Sequence, residues 1–391
     1  MRVTLILTML CLAQASRANG DFQTTFGGPD FDRGVCVAPT ADGGYAVVGV
    51  TKSEGAGGED VLLVKFDGDG RTEWSRTYGG PGDDCGWAVL AAPDGFVIAG
   101  FTASRGEGEN DFYLVKADPA GEEEWSRTYG GPGNDRCWSL IRTADGGFLL
   151  AGETTSTGAG EQDCWLVRTD GEGEKLWSRA YGGPAGDRAF AVTADGDGGF
   201  VVAGQTYSEG AGDRDGYVVR TDAAGELQWS RTFGGAQSDV AHGVIRTRSG
   251  AFLVTGYTTS FADGPDDPFL VMLDAAGDTL WTRVLPLEGV NHTLSGAETK
   301  SGDFLLVGFS AFPGRGPTQA LLVRTDADGG LVQHRDVRSS EVGETFGYTV
   351  VATADGGCVF TGHTSVDTPR NLDLLLVKIG VDGSSGPYDG D

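Results

Sequence analysis

The sequence contains few of the residues and motifs that usually identify a metal centre or a nucleophilic active site. Its 391 residues include 4 His, and these histidines show no metal-ligand spacing. No CxxC pair occurs, so the cysteines indicate no zinc site of that type. No nucleophile elbow stands out either, and glycine is so abundant that GxG matches carry no information. The sequence therefore indicates no catalytic residue.

Basic residues and long apolar runs are also scarce. The 29 Lys and Arg stand against 56 Asp and Glu, for a formal net charge of −27, and this excludes nucleic acid as an expected partner. The apolar run Val3 to Ala13 is too short for a bilayer, which needs about 20 residues. Arg2 precedes it and small residues follow, so residues 1–18 are predicted to be a secretory signal peptide. We expect a secreted monomer, at the cell surface, outside the cell or in a periplasm, without membrane insertion.

The sequence is rich in glycine and in one repeated pattern. Glycine accounts for 66 of the 391 residues, and helices disfavour glycine by about 1 kcal/mol relative to alanine. A tryptophan returns at intervals of 51, 52, 52 and 52 residues, as Trp74, Trp125, Trp177, Trp229 and Trp281. An Asp-Gly or Ser-Gly turn signal occurs seven times, beginning at Asp42-Gly43-Gly44. A self-similar unit of about 50 residues predicts a propeller or a solenoid.

Each unit has the pattern of four short strands joined by alternating tight turns and longer loops. Seven such units predict an all-β, seven-bladed β-propeller of four-stranded antiparallel blades over residues 19–383, followed by a polar tail, 384–391. The last unit lacks its fourth strand, and a spare strand, Phe22 to Phe26, precedes the first unit. We therefore expect the N-terminal strand to complete the last blade and to close the ring.

Repetition also gives each conspicuous residue an expected role. The five repeated tryptophans are interpreted as structural residues that pack blade against blade. Aspartate recurs in both long loops of the unit, which share one face of the disc, so that face is expected to be acidic. The first of these loops contributes Asp32, Asp84, Asp135, Asp187 and Asp239. In one interpretation these carboxylates cap their loops by accepting backbone N–H bonds. In the other they bind Ca²⁺, a hard cation that takes several oxygen ligands.

The repeat resembles a known family. The unit W-S-R-T-Y-G-G, followed by T-A-D-G-G-F, A-G-x-T and D-x-W-L-V-R-T-D, is similar to that of exported bacterial and archaeal propeller-repeat proteins. The likeness is close over residues 22–283 and weaker afterwards. It implies a secreted or cell-surface propeller without an assigned activity, and some members are labelled endoglucanase-like. The strand pair 221–229 also resembles that of quinoprotein propellers, although the adjacent cysteines that often hold the quinone are missing here.

The sequence thus favours a binding module for a protein or glycan ligand over an enzyme, with Ca²⁺ as a candidate ion and no other cofactor indicated. The alternative is a carbohydrate-active, endoglucanase-like hydrolase that uses a carboxylate pair on the long-loop face. That alternative requires two close carboxylates flanked by exposed tryptophan. A quinoprotein oxidoreductase is a third hypothesis for the function.

Overall fold

A computed structural model describes residues 21–339, 343–365 and 371–380. The predicted signal peptide, 1–18, and the predicted tail, 384–391, lie outside these residues. The described chain forms 28 strands in seven sheets, each of four antiparallel strands, and the predicted seven-bladed β-propeller is confirmed. Within the same residues, no helix is long and apolar enough to cross a membrane.

The strands follow the chain with little interruption. After β1 (Phe22–Phe26), blade one contains β2 (Asp32–Pro39), β3 (Tyr45–Thr51), β4 (Asp60–Phe66) and β5 (Thr72–Tyr78). Blade two contains β6 (Asp84–Ala92), β7 (Gly95–Thr102), β8 (Asp111–Ala117) and β9 (Glu123–Tyr129). Blade three contains β10 (Asp135–Arg142), β11 (Phe148–Thr154), β12 (Asp163–Thr169) and β13 (Lys175–Tyr181). Blade four contains β14 (Asp187–Ala194), β15 (Phe200–Thr206), β16 (Asp215–Thr221) and β17 (Leu227–Phe233).

The remaining three blades continue this pattern, and the last of them includes the first strand of the chain. Blade five contains β18 (Asp239–Arg246), β19 (Phe252–Thr258), β20 (Asp267–Leu273) and β21 (Thr279–Val284). Blade six contains β22 (Val290–Glu298), β23 (Phe304–Ala311), β24 (Gln319–Thr325) and β25 (Leu331–Val337). Blade seven contains β26 (Thr345–Ala352), β27 (Cys358–Ser365), β28 (Leu372–Ile379) and, as its outer strand, β1.

Ring closure follows the prediction from the sequence. Strand β1 pairs antiparallel with β28, with Phe22 opposite Lys378 and Phe26 opposite Leu374. Phe22 is buried and lies against the tight-turn glycine Gly70 of blade one, in the place where blades one to five present tryptophan to the next blade. The two ends of the chain therefore share one sheet, and every blade has four strands.

The first strand of each blade faces the central channel, and the last strand lies on the outer rim. The seven first strands contact one another in sequence around the axis. Second and third strands are apolar and almost wholly buried, as in β3 and β4, because both of their faces pack against neighbouring blades. The outer strands are largely half-buried or exposed, as in β5. All five cysteines of the described chain are free thiols.

The repeated tryptophans lie on these outer strands, each over a glycine of the next blade. Gly173 of blade three has a φ of 80°, and a methyl group added there would lie 2.7 Å from Cζ3 of Trp125 in blade two. Trp74, Trp177, Trp229 and Trp281 have the same relation to Gly121, Gly225, Gly277 and Gly329. The glycine supplies both the turn conformation and the space for the indole.

Candidate functional site

The five aspartates considered as metal ligands stand at the first position of the inner strands of blades one to five. All five are buried, with at most 1% of the residue surface exposed. In blade three, Oδ2 of Asp135 accepts a 2.9 Å hydrogen bond from the Gly131 amide and a 2.7 Å bond from the Ser156 hydroxyl. The same pair of contacts recurs at Asp32, Asp84, Asp187 and Asp239. Each carboxylate therefore joins two loops of its blade.

These five aspartates add almost no exposed charge to the long-loop face. Their carboxylates turn into the loops, where backbone amides and serine hydroxyls bind them, and they present almost no surface to solvent. Within the described residues, no group of three or more His, Cys, Asp or Glu is arranged to hold a metal ion. The hydrogen bonds are those of the capping interpretation, and a role for Ca²⁺ stays a prediction.

A second series of aspartates, at the start of the third strands, lies beside the first series of the following blade. Oδ2 of Asp111 accepts hydrogen bonds of 2.8 and 3.3 Å from the amides of Glu107 and Gly108. Burial raises the pKa of Asp111, its two backbone hydrogen bonds lower it, and the nearby charge of Asp135 raises it further. Asp60 and Asp163 are perturbed in the same direction for the same leading reason. These carboxylates are inaccessible to a substrate.

The channel itself is lined by side chains that differ from blade to blade. Each inner strand carries a β-bulge near its start, and a bulge redirects the extra side chain. The seven bulge residues are Val35, Trp87, Trp138, Phe190, His242, Leu294 and Tyr348. The positions two residues before the bulge residues hold Arg33, Cys85, Arg136, Arg188, Val240, His292 and Phe346. We call these two sets, with the residues that contact them from the second strands, the channel mouth.

Aromatic rings contact one another around much of the mouth. Trp87 and Trp138, from adjacent blades, meet edge to face with ring centroids 4.5 Å apart. On the other side, Tyr257 stacks on His292 at 3.6 Å, and His292 in turn lies 4.6 Å from Phe309. Such rings offer flat apolar surfaces to a ligand.

Arginines add positive charge to this aromatic lining. The guanidinium of Arg33 lies 4.9 Å from the ring centroid of Trp87, and that of Arg136 lies 5.2 Å from the centroid of Phe101. Arg188 is bound differently, because its Nε lies 3.1 Å from Oε2 of the buried Glu153. Burial raises the pKa of Glu153, while the charges of Arg188 and Arg136 lower it.

The histidines of the mouth add little charge at neutral pH. Burial lowers the pKa of both His242 and His363 to about 3. The pKa of His292 is also lowered, first by burial, although its 3.0 Å contact with Asp266 opposes that shift. The positive charge of the mouth therefore comes from the arginines.

The surface around the mouth has the opposite sign. The long loops that surround it carry exposed acidic residues at Glu54, Asp83, Glu107, Glu109, Glu161, Glu209, Asp213 and Asp263. A basic and aromatic centre thus lies inside an acidic rim. The repeats in the sequence do not reveal this centre, because a repeat pattern selects the positions that are alike. The signal available in the sequence is the opposite one, namely the two inner-strand positions whose pair of residues is different in every unit.

Comparisons with known proteins agree with the fold. No protein-family model matches the sequence. A stretch of 142 residues is 28% identical to the regulatory protein FlaEY of Caulobacter vibrioides and covers 32% of this chain but only 15% of that protein. The WD40 domain of Neurospora crassa Pan2 is similar in structure, with a TM-score of 0.57, 12% identity, and coverage of 93% of this chain and 97% of that one. A puromycin hydrolase mutant has a TM-score of 0.53 at 14% identity, covering 92% of this chain and 55% of that one.

Proposed function

We propose that this protein is an exported binding module that holds part of a protein or glycan ligand at the channel mouth. The observation that carries the proposal is the contrast between positions. The turns, the buried aspartates and the rim tryptophans repeat in most blades, whereas no two blades carry the same pair of residues at the two inner-strand positions of the mouth. A scaffold needs the first set. A surface that recognises one ligand in one orientation needs the second.

The chemistry of the mouth suits binding better than hydrolysis. A glycosidase needs two carboxyl groups about 5 to 9.5 Å apart that both reach the scissile bond. At the mouth, the carboxylate of Glu153 is buried and engaged by Arg188. Asp111 and Asp135, which lie beside each other in neighbouring blades, are buried as well, and both accept hydrogen bonds from backbone amides. The half-buried Trp87 and Trp138 remain as a platform for a ligand.

A thermal-shift screen of the mature protein against neutral and acidic oligosaccharides, short peptides and small aromatic compounds tests the proposal. A ligand that binds only the folded state, present at a hundredfold excess over its Kd, stabilises that state by about 2.7 kcal/mol. We expect a ligand whose shift disappears in Trp138→Leu at the mouth.

The matched control is Trp125→Leu, which makes the same change on the outer rim. This variant is expected to melt at a lower temperature, because it loses the packing against Gly173, but to keep the full ligand shift. Ligands whose shifts are lost in the rim variant and kept in the mouth variant would contradict a site in the channel.

A further inference from the structure

Two guanidinium groups at the mouth lie on aromatic rings without a carboxylate partner. Nε of Arg33 and Nε of Arg136 are both buried, and neither has a hydrogen-bond partner in the described chain. No salt bridge from either side chain is found among those residues. Arg33 also lies 5.8 Å from the ring centroid of Tyr348. These contacts fix the planes of the cations. The carboxylate of Glu153, whose pKa Arg136 lowers, is already engaged by Arg188.

The tryptophan pair between these arginines also has unused donors. The indole Nε1 of Trp87 and that of Trp138 are buried and lack an acceptor in the described residues. Trp138 lies 5.8 Å from Phe101, the ring that also carries the guanidinium of Arg136. Each of these four side chains thus has a buried N–H group without a hydrogen-bond acceptor in the described chain. Burying such groups without partners is unfavourable, so their retention here indicates an acceptor that comes from outside the chain.

We infer that the channel mouth binds a small ligand that carries an oxyanion, a carboxylate or a phosphate, together with a flat apolar part. The oxyanion accepts hydrogen bonds from Arg33 and Arg136, and the apolar part lies against Trp87 and Trp138. The inference rests on the proposed function and adds the class of the ligand. The acidic rim restricts that class further, because its exposed carboxylates repel a long polyanion while a single anionic group reaches the arginines.

Isothermal titration calorimetry at low ionic strength tests the inference with three probes of similar shape. Benzoate carries a carboxylate, phenyl phosphate carries a phosphate, and benzamide is the neutral counterpart of benzoate. We expect one or both anions to bind, and benzamide to bind at least tenfold more weakly. The two anionic probes distinguish the two sources of the oxyanion. Binding of benzamide as tight as that of benzoate would overturn the inference.

Variants assign the effect to the mouth. Arg33→Gln and Arg136→Gln should each weaken anion binding about tenfold or more, because each removes charge-assisted hydrogen bonds. Arg136→Lys keeps the charge but loses the planar fork, and it should fall between wild type and Arg136→Gln. Arg142→Gln, at the other end of the same strand and exposed, should bind like wild type.

The melting temperature of the ligand-free variants separates recognition from a structural role. Removal of a buried cation that forms no salt bridge should leave the melting temperature unchanged or raise it. A clear decrease for both glutamine variants would mean that the guanidinium groups support the fold, and would overturn the inference. If the anions fail to bind while a neutral ligand from the screen still depends on Trp138, the oxyanion is excluded and the proposed function stands. If no ligand depends on Trp138, both fail.

Discussion

The phenol of Tyr78 donates a 2.7 Å hydrogen bond to the backbone carbonyl of Gly121, which lies in the next blade. Tyr129 and Tyr181 make the same bond to Gly173 and Gly225. Burial raises the pKa of all three phenols, so they remain protonated donors throughout the neutral range. The bond fixes an outer strand to the tight turn beside it, at the place where the rim tryptophan covers the same glycine.

Replacing Tyr78 by phenylalanine should therefore destabilise the ring. The variant keeps the aromatic packing and leaves the carbonyl of Gly121 without its donor, which should lower the free energy of unfolding by about 1 to 3 kcal/mol. Denaturant unfolding followed by tryptophan fluorescence measures the change. Tyr207→Phe is the control, since Tyr207 is 48% exposed and should change stability by less than about 0.5 kcal/mol. Equal effects at the two positions would argue against a role for the bond.

Replacing a buried capping aspartate by alanine should lower the stability of the fold more than replacing it by asparagine. Asp135→Ala leaves the Gly131 amide and the Ser156 hydroxyl without their acceptor, and we expect a loss of about 2 kcal/mol or more. Asp135→Asn keeps an acceptor oxygen and should lose less, because blade six already holds Asn291 at this position. Melting curves of the two variants test this order. Equal losses in the two variants would show that the negative charge, and not the acceptor oxygen alone, is what the site requires.

The raised pKa of Asp111 predicts a pH-dependent effect of Asp111→Asn. A carboxyl group whose pKa is higher in the folded state contributes stability below its unfolded pKa and loses it as the pH rises through the folded value. The variant lacks this titration, so its stability relative to wild type should increase from pH 4 to pH 7. Chemical denaturation across this range provides the measurement. A difference that stays constant with pH would mean that Asp111 has the same pKa in both states.

Calcium should have little specific effect on stability if the aspartates act as caps. After chelation, we expect Ca²⁺ and Na⁺ at equal ionic strength to shift the melting temperature equally, because the candidate carboxylates bind loop donors. A saturable rise found with Ca²⁺ alone would instead support the calcium hypothesis. It would then direct attention to the Oδ1 atoms of Asp84, Asp135, Asp187 and Asp239, which are buried without a hydrogen-bond partner in the described chain.

The fold could be predicted from the sequence because the blades repeat the same turns, apolar strands and packing residues. The Asp-Gly turns, the apolar second and third strands, and the rim aromatic each have a local cause. The turn signal occurs in all seven units, so the repeat stays recognisable where a single unit departs from it. One such departure is the loss of Trp-Ser-Arg before Arg335. In the last unit, the sequence pattern predicts strands at about 346–353, 358–364 and 373–379, and the structure has them at Thr345–Ala352, Cys358–Ser365 and Leu372–Ile379.

The site could not be predicted in the same way, because its residues come from different blades and meet only in the folded ring. Arg33 and Tyr348 are far apart in the chain, yet they face each other across the first and last blades. The exposure of the five inner-strand aspartates could not be predicted either, for a different reason. Their repetition is visible in the sequence, but the direction of a carboxylate depends on which loop amides lie beside it, and only the folded loops decide that.

Closure by β1 also sets the order in which this chain reaches its final form. The first strand of the propeller, Phe22–Phe26, pairs with its last strand, Leu372–Ile379, so the growing chain carries β1 unpaired until β28 has been made. Until the two strands pair, β28 has a free edge that another molecule could occupy. The seam between β1 and β28 is consequently the part of the ring where a nascent chain is most open to proteases, to chaperones and to exchange of strands with a second copy of itself.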